Sequence, residues 1–401
     1  MGSIFVPDQE ILPKSVDLIV VGGGIVGVTT AFAASRAGLK TVVLERRQGL
    51  GTLTTASSEE CFRAQFSEPE NVAMMLASIA VFEAFSEAVG IPGVDISIHQ
   101  QGYLFLDDSA EGPRELAARV AHQRSIGLSD VEYLDGEQAR RMFPWLGPGV
   151  TAASFRARDG WLSGHELTYG FARGSRADFL MCTEALSIGV EGGRVCDVRT
   201  NRGRIEAPRV VIAAGPFSGV VARTAGVDLP LTILRRQKAI LSPHPSIPQD
   251  APMTIDLRTG AYWRPEVGGA ALGWANPEEP GEPVERVPTD WRFPMLVLEK
   301  VARLAPFWGA VADGLTRDCV HLSAGQYTVT PDSKPIIGGH PEIAGLYLNV
   351  GYSGHGIMGS PEGGRILVEV MTGCRRERDN PFTFERFAGG ALQPRTETMV
   401  L

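Results

Sequence analysis

Cysteine, histidine and lysine are all sparse in this chain, and each scarcity removes a class of function. Five cysteines (Cys61, Cys182, Cys196, Cys319 and Cys374) are spread over 401 residues. Their number is odd and no two form a CxxC pair. That excludes a disulfide framework and a zinc site of ordinary spacing. Such usage fits a reducing compartment, so a cytoplasmic location is expected. The 7 histidines form no HxxxH or HExxH pattern, so no metal motif is present. Positive charge is in deficit, with 38 Lys and Arg against 46 Asp and Glu. The net charge of −8 disfavours a nucleic-acid or anionic-membrane partner. Lysine is represented only by Lys14, Lys40, Lys238, Lys300 and Lys334. No basic segment precedes an apolar one at the start, so no signal peptide is expected. The most apolar stretch, Val16 to Ala34, contains Asp17 and four glycines. It reads as strand, turn and helix, and no membrane span is expected.

Apolar residues reach 44%, enough for a core, and a prior of about 150 residues per domain suggests two or three domains. Glycine is abundant, at 47 residues. No G-X-Y period accompanies it, so the glycines point to tight turns and to backbone packed close to a ligand.

The first ordered pattern is a βαβ unit. Asp17-Leu-Ile-Val-Val is a continuous apolar run, as a buried parallel strand requires. Gly22-Gly-Gly-Ile-Val-Gly27 follows, then an alanine-rich helix stopped by Gly38. Lys40-Thr-Val-Val-Leu-Glu45 is the second strand. Gly22, Gly24 and Gly27 therefore form a GxGxxG turn between strand and helix. Such glycines let the backbone approach a pyrophosphate, and the helix N-terminus stabilises its charge. Glu45, 23 residues after the first glycine, suits the two ribose hydroxyls of an adenosine and repels a 2′-phosphate.

Further along, helical spacing covers 69–89, 111–126, 136–141 and 165–176. Strands are expected at 102–107 and 150–157, and a β-meander at 186–206. A buried strand at 209–215 ends in Ala214 and Gly215. Residues 230–325 are rich in Pro, Trp and short strands. Beyond Gln326 a strand, a glycine-rich turn and a helix (about 361–372) return. This interrupted layout suits a flavin dinucleotide better than NAD.

The sequence here resembles the D-amino-acid-oxidase-like flavoproteins, in the branch of sarcosine oxidase, dimethylglycine dehydrogenase, glycine oxidase and dye-linked L-proline dehydrogenase. Four segments carry the likeness: Asp17–Glu45, Cys61-Phe-Arg-Ala-Gln-Phe-Ser-Glu-Pro-Glu-Asn71, Val210-Val-Ile-Ala-Ala-Gly-Pro-Phe-Ser218, and Tyr327-Thr-Val-Thr-Pro-Asp-Ser-Lys-Pro-Ile-Ile-Gly338 with Gly351-Tyr-Ser-Gly-His-Gly-Ile-Met358. The resemblance implies an α/β chain with a Rossmann-like FAD-binding domain (14–90, 148–228 and 326–401). A mixed or antiparallel β-sheet substrate domain (91–147 and 229–325) is inserted in it. Arg46, Ser57, Ser58, Ala214 and Gly215 are expected to join the glycines and Glu45 in holding FAD. Gly354, His355, Gly356, Ile357 and Met358 are expected beside the flavin. Amides ahead of the helix-start signal Ser360-Pro361-Glu362 would face its O2 atom.

Flavin amine oxidation needs a substrate C–H aimed at flavin N5 and little acid–base machinery. The resemblance assigns the substrate carboxylate to Arg63, which can grip it through two parallel hydrogen bonds. Arg264 and Tyr327 are further substrate candidates, each with a structural role open beside it. Three departures from the family stand out. Met358 replaces a lysine. Ala271 stands where a lysine speeds reaction with oxygen, so a dehydrogenase or slow oxidase is expected. Gly325 stands where sarcosine oxidase links its FAD to cysteine, so non-covalent FAD is expected. The resulting reading is an FAD-dependent oxidoreductase acting on the CH–NH bond of a secondary, N-methyl or cyclic amino acid or related amine. Its electron acceptor is oxygen or a separate carrier. A 2-hydroxy-acid oxidoreductase on the same fold, and a flavin-bound assembly protein without turnover, remain open.

Overall fold

The computed structural model describes residues 2–8, 12–275, 279–387 and 397. Two large sheets organise the chain. The first has seven strands, in the order Ile4–Phe5, Asp178–Leu180, Thr41–Leu44, Leu18–Val21, Val210–Ile212, Leu346–Val350, Ile336–Gly339. All neighbours are parallel except the last pair. The apolar runs at 18–21, 41–44 and 210–212 are buried throughout, which is why they lack polar alternation. The Ile25–Arg36 helix packs on this sheet and on the Gly356–Thr372 helix. Thr29 Oγ1 joins the two helices by donating to the Ser360 carbonyl at 2.9 Å.

The second sheet has nine strands. Their order is Tyr352–Ser353, Val320–Val329, Thr232–Leu241, Gly269–Trp274, Ala261–Glu266, Met253–Asp256, Tyr103–Asp107, Ala152–Arg156, Glu132–Asp135. It is antiparallel except where Met253–Asp256 meets Tyr103–Asp107. Alternation sorts its side chains by face. Trp263 points to the back, where it meets Trp308 edge to face at 5.2 Å in a core shared with the Phe293–Val301 and Trp308–Asp313 helices. Its neighbours Tyr262 and Arg264 point to the front. The architecture is thus a Rossmann-like lobe with an inserted, mixed β-sheet lobe.

Several elements differ from the sequence reading. The last long helix starts at Gly356, five residues before Pro361, which lies inside it. Ser-Pro-Glu marks the second turn here. Pro361 cannot donate to the Ile357 carbonyl, and Ser360 Oγ donates there instead, at 3.3 Å. The 69–89 helix is broken at Ala84 into Pro69–Glu83 and Phe85–Val89. Strand Ala152–Arg156 and residues 326–329 pair within the nine-stranded sheet. Both segments were expected in the FAD-binding domain (148–228 and 326–401), and both pair in the sheet that carries Tyr103–Asp107 and Thr232–Leu241. The Pro and Gly cluster at 144–149 marks a turn but carries no information about which sheet follows.

A buried polar cluster ties the loop after Cys61 to the nine-stranded sheet. Asp159, fully buried, accepts from the Ala64 amide at 3.0 Å and from Gln65 Nε2 at 3.2 Å, and pairs with the buried Arg156. Arg156 is also held by Asp130, at 2.7 and 2.8 Å, so removing Asp159 leaves that charge paired but takes the acceptor from the Ala64 amide and Gln65 Nε2. Asp159→Ala is expected to destabilise the protein by about 2–3 kcal/mol, measured by urea unfolding. A loss below about 1 kcal/mol, the level of an ordinary surface pair, would show that the cluster is not a structural anchor.

Candidate active site

A cavity runs between the two sheets, with about 330 Å³ open to the centres of water-sized molecules. Val21, Leu44, Ala213 and Val350, at the carboxyl ends of four parallel strands, line one side. This is the crevice in which open α/β sheets bind ligands.

The glycine turn forms one end. Gly22 has φ +115°, and a Cβ on Gly27 would lie 1.9 Å from the Gly22 carbonyl oxygen. Only glycine closes this turn. Gly24 caps the Ile25–Arg36 helix without a side-chain bond, and the first helical turn carries no acidic residue. Its amides face the cavity as an anion site. The Glu45 carboxylate is fixed by the backbone, with Oε2 accepting from the Gly23 amide and Oε1 from the Arg47 amide, both at 2.8 Å. Lone pairs remain for ribose hydroxyls. Arg46 stacks over the Phe217 ring at 3.7 Å. Arg46, Ser57, Ser58, Ala214 and Gly215 all line the cavity. The Ile25 amide donates to Thr55 Oγ1 at 3.2 Å. A helix N-terminus without acidic residues, a turn closed by glycine and a fixed carboxylate match a dinucleotide pyrophosphate and ribose, so the residues present fit FAD.

The Gly356–Thr372 helix forms the other end. His355 caps it without a side-chain bond, and no acidic residue opposes its dipole. Gly354, Gly356 and Ile357 line the cavity, and the Tyr327 ring packs against Gly354. The front face of the nine-stranded sheet roofs this end with Arg236, Lys238, Tyr262 and Tyr327. Register builds the roof. Lys238 pairs with Gly273 and Gly273 with Tyr262. A Cβ on Gly273 would sit 2.2 Å from the Tyr262 ring, so glycine there lets the ring lie across the strand. Arg236 pairs with Gly325, and Leu234 with Tyr327.

The charges at this end are distinctive. Lys238 Nζ donates to the Ser58 carbonyl. The Arg236 guanidinium stands 5.6 Å from the centre of the Tyr327 ring, and its Nε is shielded from solvent without an acceptor. Glu59 also lines the cavity. Burial raises its pKa above the ordinary carboxylate range, against the opposing pull of Lys238 and Arg264. Burial also pushes the Tyr327 phenol up to about 12, so it is a neutral donor at physiological pH.

The expected site residues divide into two groups. The expected FAD-end residues Gly22, Gly24, Glu45, Arg46, Ser57, Ser58, Ala214 and Gly215 line the cavity, as do Tyr327, Gly354, Gly356 and Ile357. Gly27 lies one step behind it, packed on the Gly22 carbonyl, and Arg63, Arg264, His355 and Met358 do not line it either. Arg63 is 2% exposed and faces away, into Phe66, whose ring lies 4.0 Å from the guanidinium. It donates to the Gln65 carbonyl and meets His355 Nε2 at 3.4 Å. Arg264 pairs with Glu266 and donates to the Glu59 carbonyl at 3.0 Å. It therefore shapes the Glu59 loop from behind. His355 packs edge-on against Phe66 at 4.9 Å, and the Met358 side chain belongs to the main apolar core. Arg236, Lys238, Glu59 and Tyr262 were not foreseen. A readable signal existed for two of them: in Arg235-Arg-Gln-Lys238, strand alternation puts Arg236 and Lys238 on one face.

Comparison with known proteins agrees with this geometry. The profile of the family described as FAD dependent oxidoreductase (DAO) matches residues 17–370. FAD-dependent oxidoreductase domain-containing protein 1 of Xenopus laevis is 30% identical, over 96% of this chain and 85% of that protein. Sarcosine oxidase subunit beta of Arthrobacter sp is 26% identical, over 94% of this chain and 93% of its own. The crystal structure of L-proline dehydrogenase from P. horikoshii superposes with a TM-score of 0.81 at 28% identity, covering 94% of this chain and 99% of that one. This chain belongs to the DAO family of FAD-dependent oxidoreductases.

Proposed function

We propose that the enzyme oxidises the CH–NH bond of a small amino acid or related amine to an imine, which water then hydrolyses. The observation that carries this reading is Arg236. Its Nε is desolvated and without an acceptor, and Arg236 lines the same cavity as Gly356 and Ile357 at the start of the Gly356–Thr372 helix. A substrate carboxylate supplies the missing acceptor and can take two parallel N–H bonds. Bound FAD supplies the hydride acceptor. The chain supplies orientation and field. Arg236 fixes the carboxylate, so one α C–H is held toward the middle of the cavity. The first amides of the Gly356–Thr372 helix stabilise negative charge as it grows beside them. Tyr262 and Tyr327 close the roof against water. The names of the sarcosine oxidase and proline dehydrogenase relatives support an amino-acid-like amine as the substrate class.

Arg236 replaces Arg63 as the proposed carboxylate ligand. The ground for slow reaction with oxygen was Ala271. Lys238, on the adjacent strand, brings an ammonium to the same cavity. Whether oxygen or a separate carrier takes the electrons then depends on how close that ammonium lies to the ring. Among the described residues no helix is long and apolar enough to cross a membrane. All five cysteines are free thiols, which supports a cytoplasmic site.

Non-covalent FAD is also proposed. No cysteine or histidine is among the residues lining the cavity, and a Cβ at Gly325 would lie 2.9 Å from Ser57 Cβ. Acid precipitation is expected to leave the yellow colour in the supernatant, and a yellow pellet would contradict this. Arg236→Met is expected to weaken binding of a carboxylate substrate by about 2 kcal/mol or more, roughly thirty-fold, read as KM with kcat less affected. Arg63→Met is expected to lower Tm and to leave KM within roughly threefold, within the scatter of a single contact. The opposite pattern would return the carboxylate to Arg63.

A further inference from the structure

Among the described residues lining the roofed end of the cavity, Glu59 is an acidic side chain that no other residue engages. Both of its carboxylate oxygens are shielded from solvent and accept no hydrogen bond. The residue as a whole is half-buried and is among those that line the cavity. Every nearby cation is committed elsewhere. Lys238 Nζ donates to the Ser58 carbonyl. Arg264 donates to the Glu59 and Pro265 carbonyls, at 3.0 and 3.1 Å, and pairs with Glu266. Glu59 forms no ion pair with any described residue. An isolated carboxylate held away from water is costly, and its cost falls when a cation arrives. The cavity therefore presents two unsatisfied groups of opposite sign, the Arg236 Nε and the Glu59 carboxylate. That is the pattern a zwitterion completes.

We propose that Glu59 binds the ammonium of the substrate and accepts its proton before the hydride leaves. The inference rests on the amine-oxidising reading and refines it. One N–H of the ammonium donates to the carboxylate, and the proton crosses to give a neutral amine and a carboxylic acid. The freed nitrogen lone pair then forms the C=N bond as the α-hydrogen departs with its electron pair. Oxidised flavin is the two-electron acceptor. The proton on Glu59 returns to solvent when the iminium product leaves. The surroundings suit a group that both gains and loses a proton. Burial disfavours its charge, while Lys238 and Arg264 favour it. The other groups acting on it are Glu60, Glu266 and the buried Cys61, with Tyr262 and Tyr327 on the roof strands. Glu59 also selects substrate. A 2-hydroxy acid satisfies Arg236 but brings no cation, leaving Glu59 buried and alone.

The test uses the full-length FAD-loaded protein, Glu59→Gln, and two matched pairs of probes. Sarcosine and L-proline carry an ammonium. Methoxyacetate and tetrahydrofuran-2-carboxylate are their ether counterparts, equal in shape and carboxylate but without N–H. Anaerobic stopped-flow reads flavin reduction by the amines across pH, and flavin absorbance perturbation reads ether binding. Glu59→Gln is expected to raise the apparent Kd of the reducing amine by about tenfold or more, as loss of a charge-assisted hydrogen bond does. It should also remove an inflection from the pH profile of the limiting rate and leave ether affinity unchanged. An unchanged amine Kd and pH profile overturns the proposal, as does an equal loss of amine and ether binding, which would mark a structural role. If neither amine reduces the wild-type flavin, the amine reading itself has failed.

A second measurement needs no substrate. A carboxyl whose pKa is raised by folding favours the folded state at low pH, and that contribution is lost as pH rises through the folded value. Glu59→Gln should therefore raise the Tm of the FAD-free protein at pH 8 and leave it nearly unchanged at pH 4. Equal Tm values at both pH values would remove the physical ground for the proposal.

Discussion

Two residues hold the catalytic end together. Tyr352 and Ser353 leave the seven-stranded sheet at Gly351 and pair with Val329 and Thr328, at the edge of the nine-stranded one. Three residues later the Gly356–Thr372 helix begins. This short pairing fixes the distance between a helix N-terminus and the roof that faces it. Tyr352 is locked in turn by its hydroxyl, which donates to Asn349 Oδ1 at 2.6 Å inside the core. Ser353 takes the left-handed backbone region, φ 53°, which is uncommon for a side chain other than glycine. Such a conformation persists only where surrounding structure over-determines it, and functional sites are where it collects.

Given that spacing, the electrostatics of the cavity follow. The glycine-turn end offers amides, a helix dipole and a carboxylate already gripped by backbone, which suits a pyrophosphate and a ribose. The roofed end offers a second dipole, two cations and an unpaired carboxylate. The sheet provides these through register. Gly273 and Gly325 each stand opposite a basic residue of strand Thr232–Leu241, so the strands neighbouring Lys238 and Arg236 add no bulk of their own. The apolar back of the same sheet packs Trp263 against Trp308 and keeps the roof rigid.

The fold was legible where local pattern determines structure. The βαβ unit, its glycine turn and Glu45 could be read because each residue type answers a requirement of the backbone or of charge within a few positions. The meander was legible from alternation and its glycines, and it appears as Ala185–Glu191, Arg194–Thr200 and Gly203–Glu206. The substrate end was much less so. Arg63 and Arg264 are arginines near the site, but both guanidiniums are engaged by contacts made across the fold, with His355 for one and the Glu59 carbonyl for the other. Arg236 and Lys238 depend on which face of one strand meets the cavity, and Glu59 on which loop residues lack partners. Those are tertiary facts. The helix start was misread for a local reason, since Ser360-Pro361-Glu362 carries the chemistry of a first turn and yet sits in the second.

A crystal structure of the FAD-loaded protein tests this arrangement most directly. The pyrophosphate should rest against the amides of Gly22–Gly27 with the ribose hydroxyls on Glu45. The ring should lie between the first turn of the Gly356–Thr372 helix and the roof, with Arg236 and Glu59 on one open face of it. A ring lying outside the roofed end, or one whose own atoms satisfy both Arg236 and Glu59 and leave no space for substrate, would contradict the account.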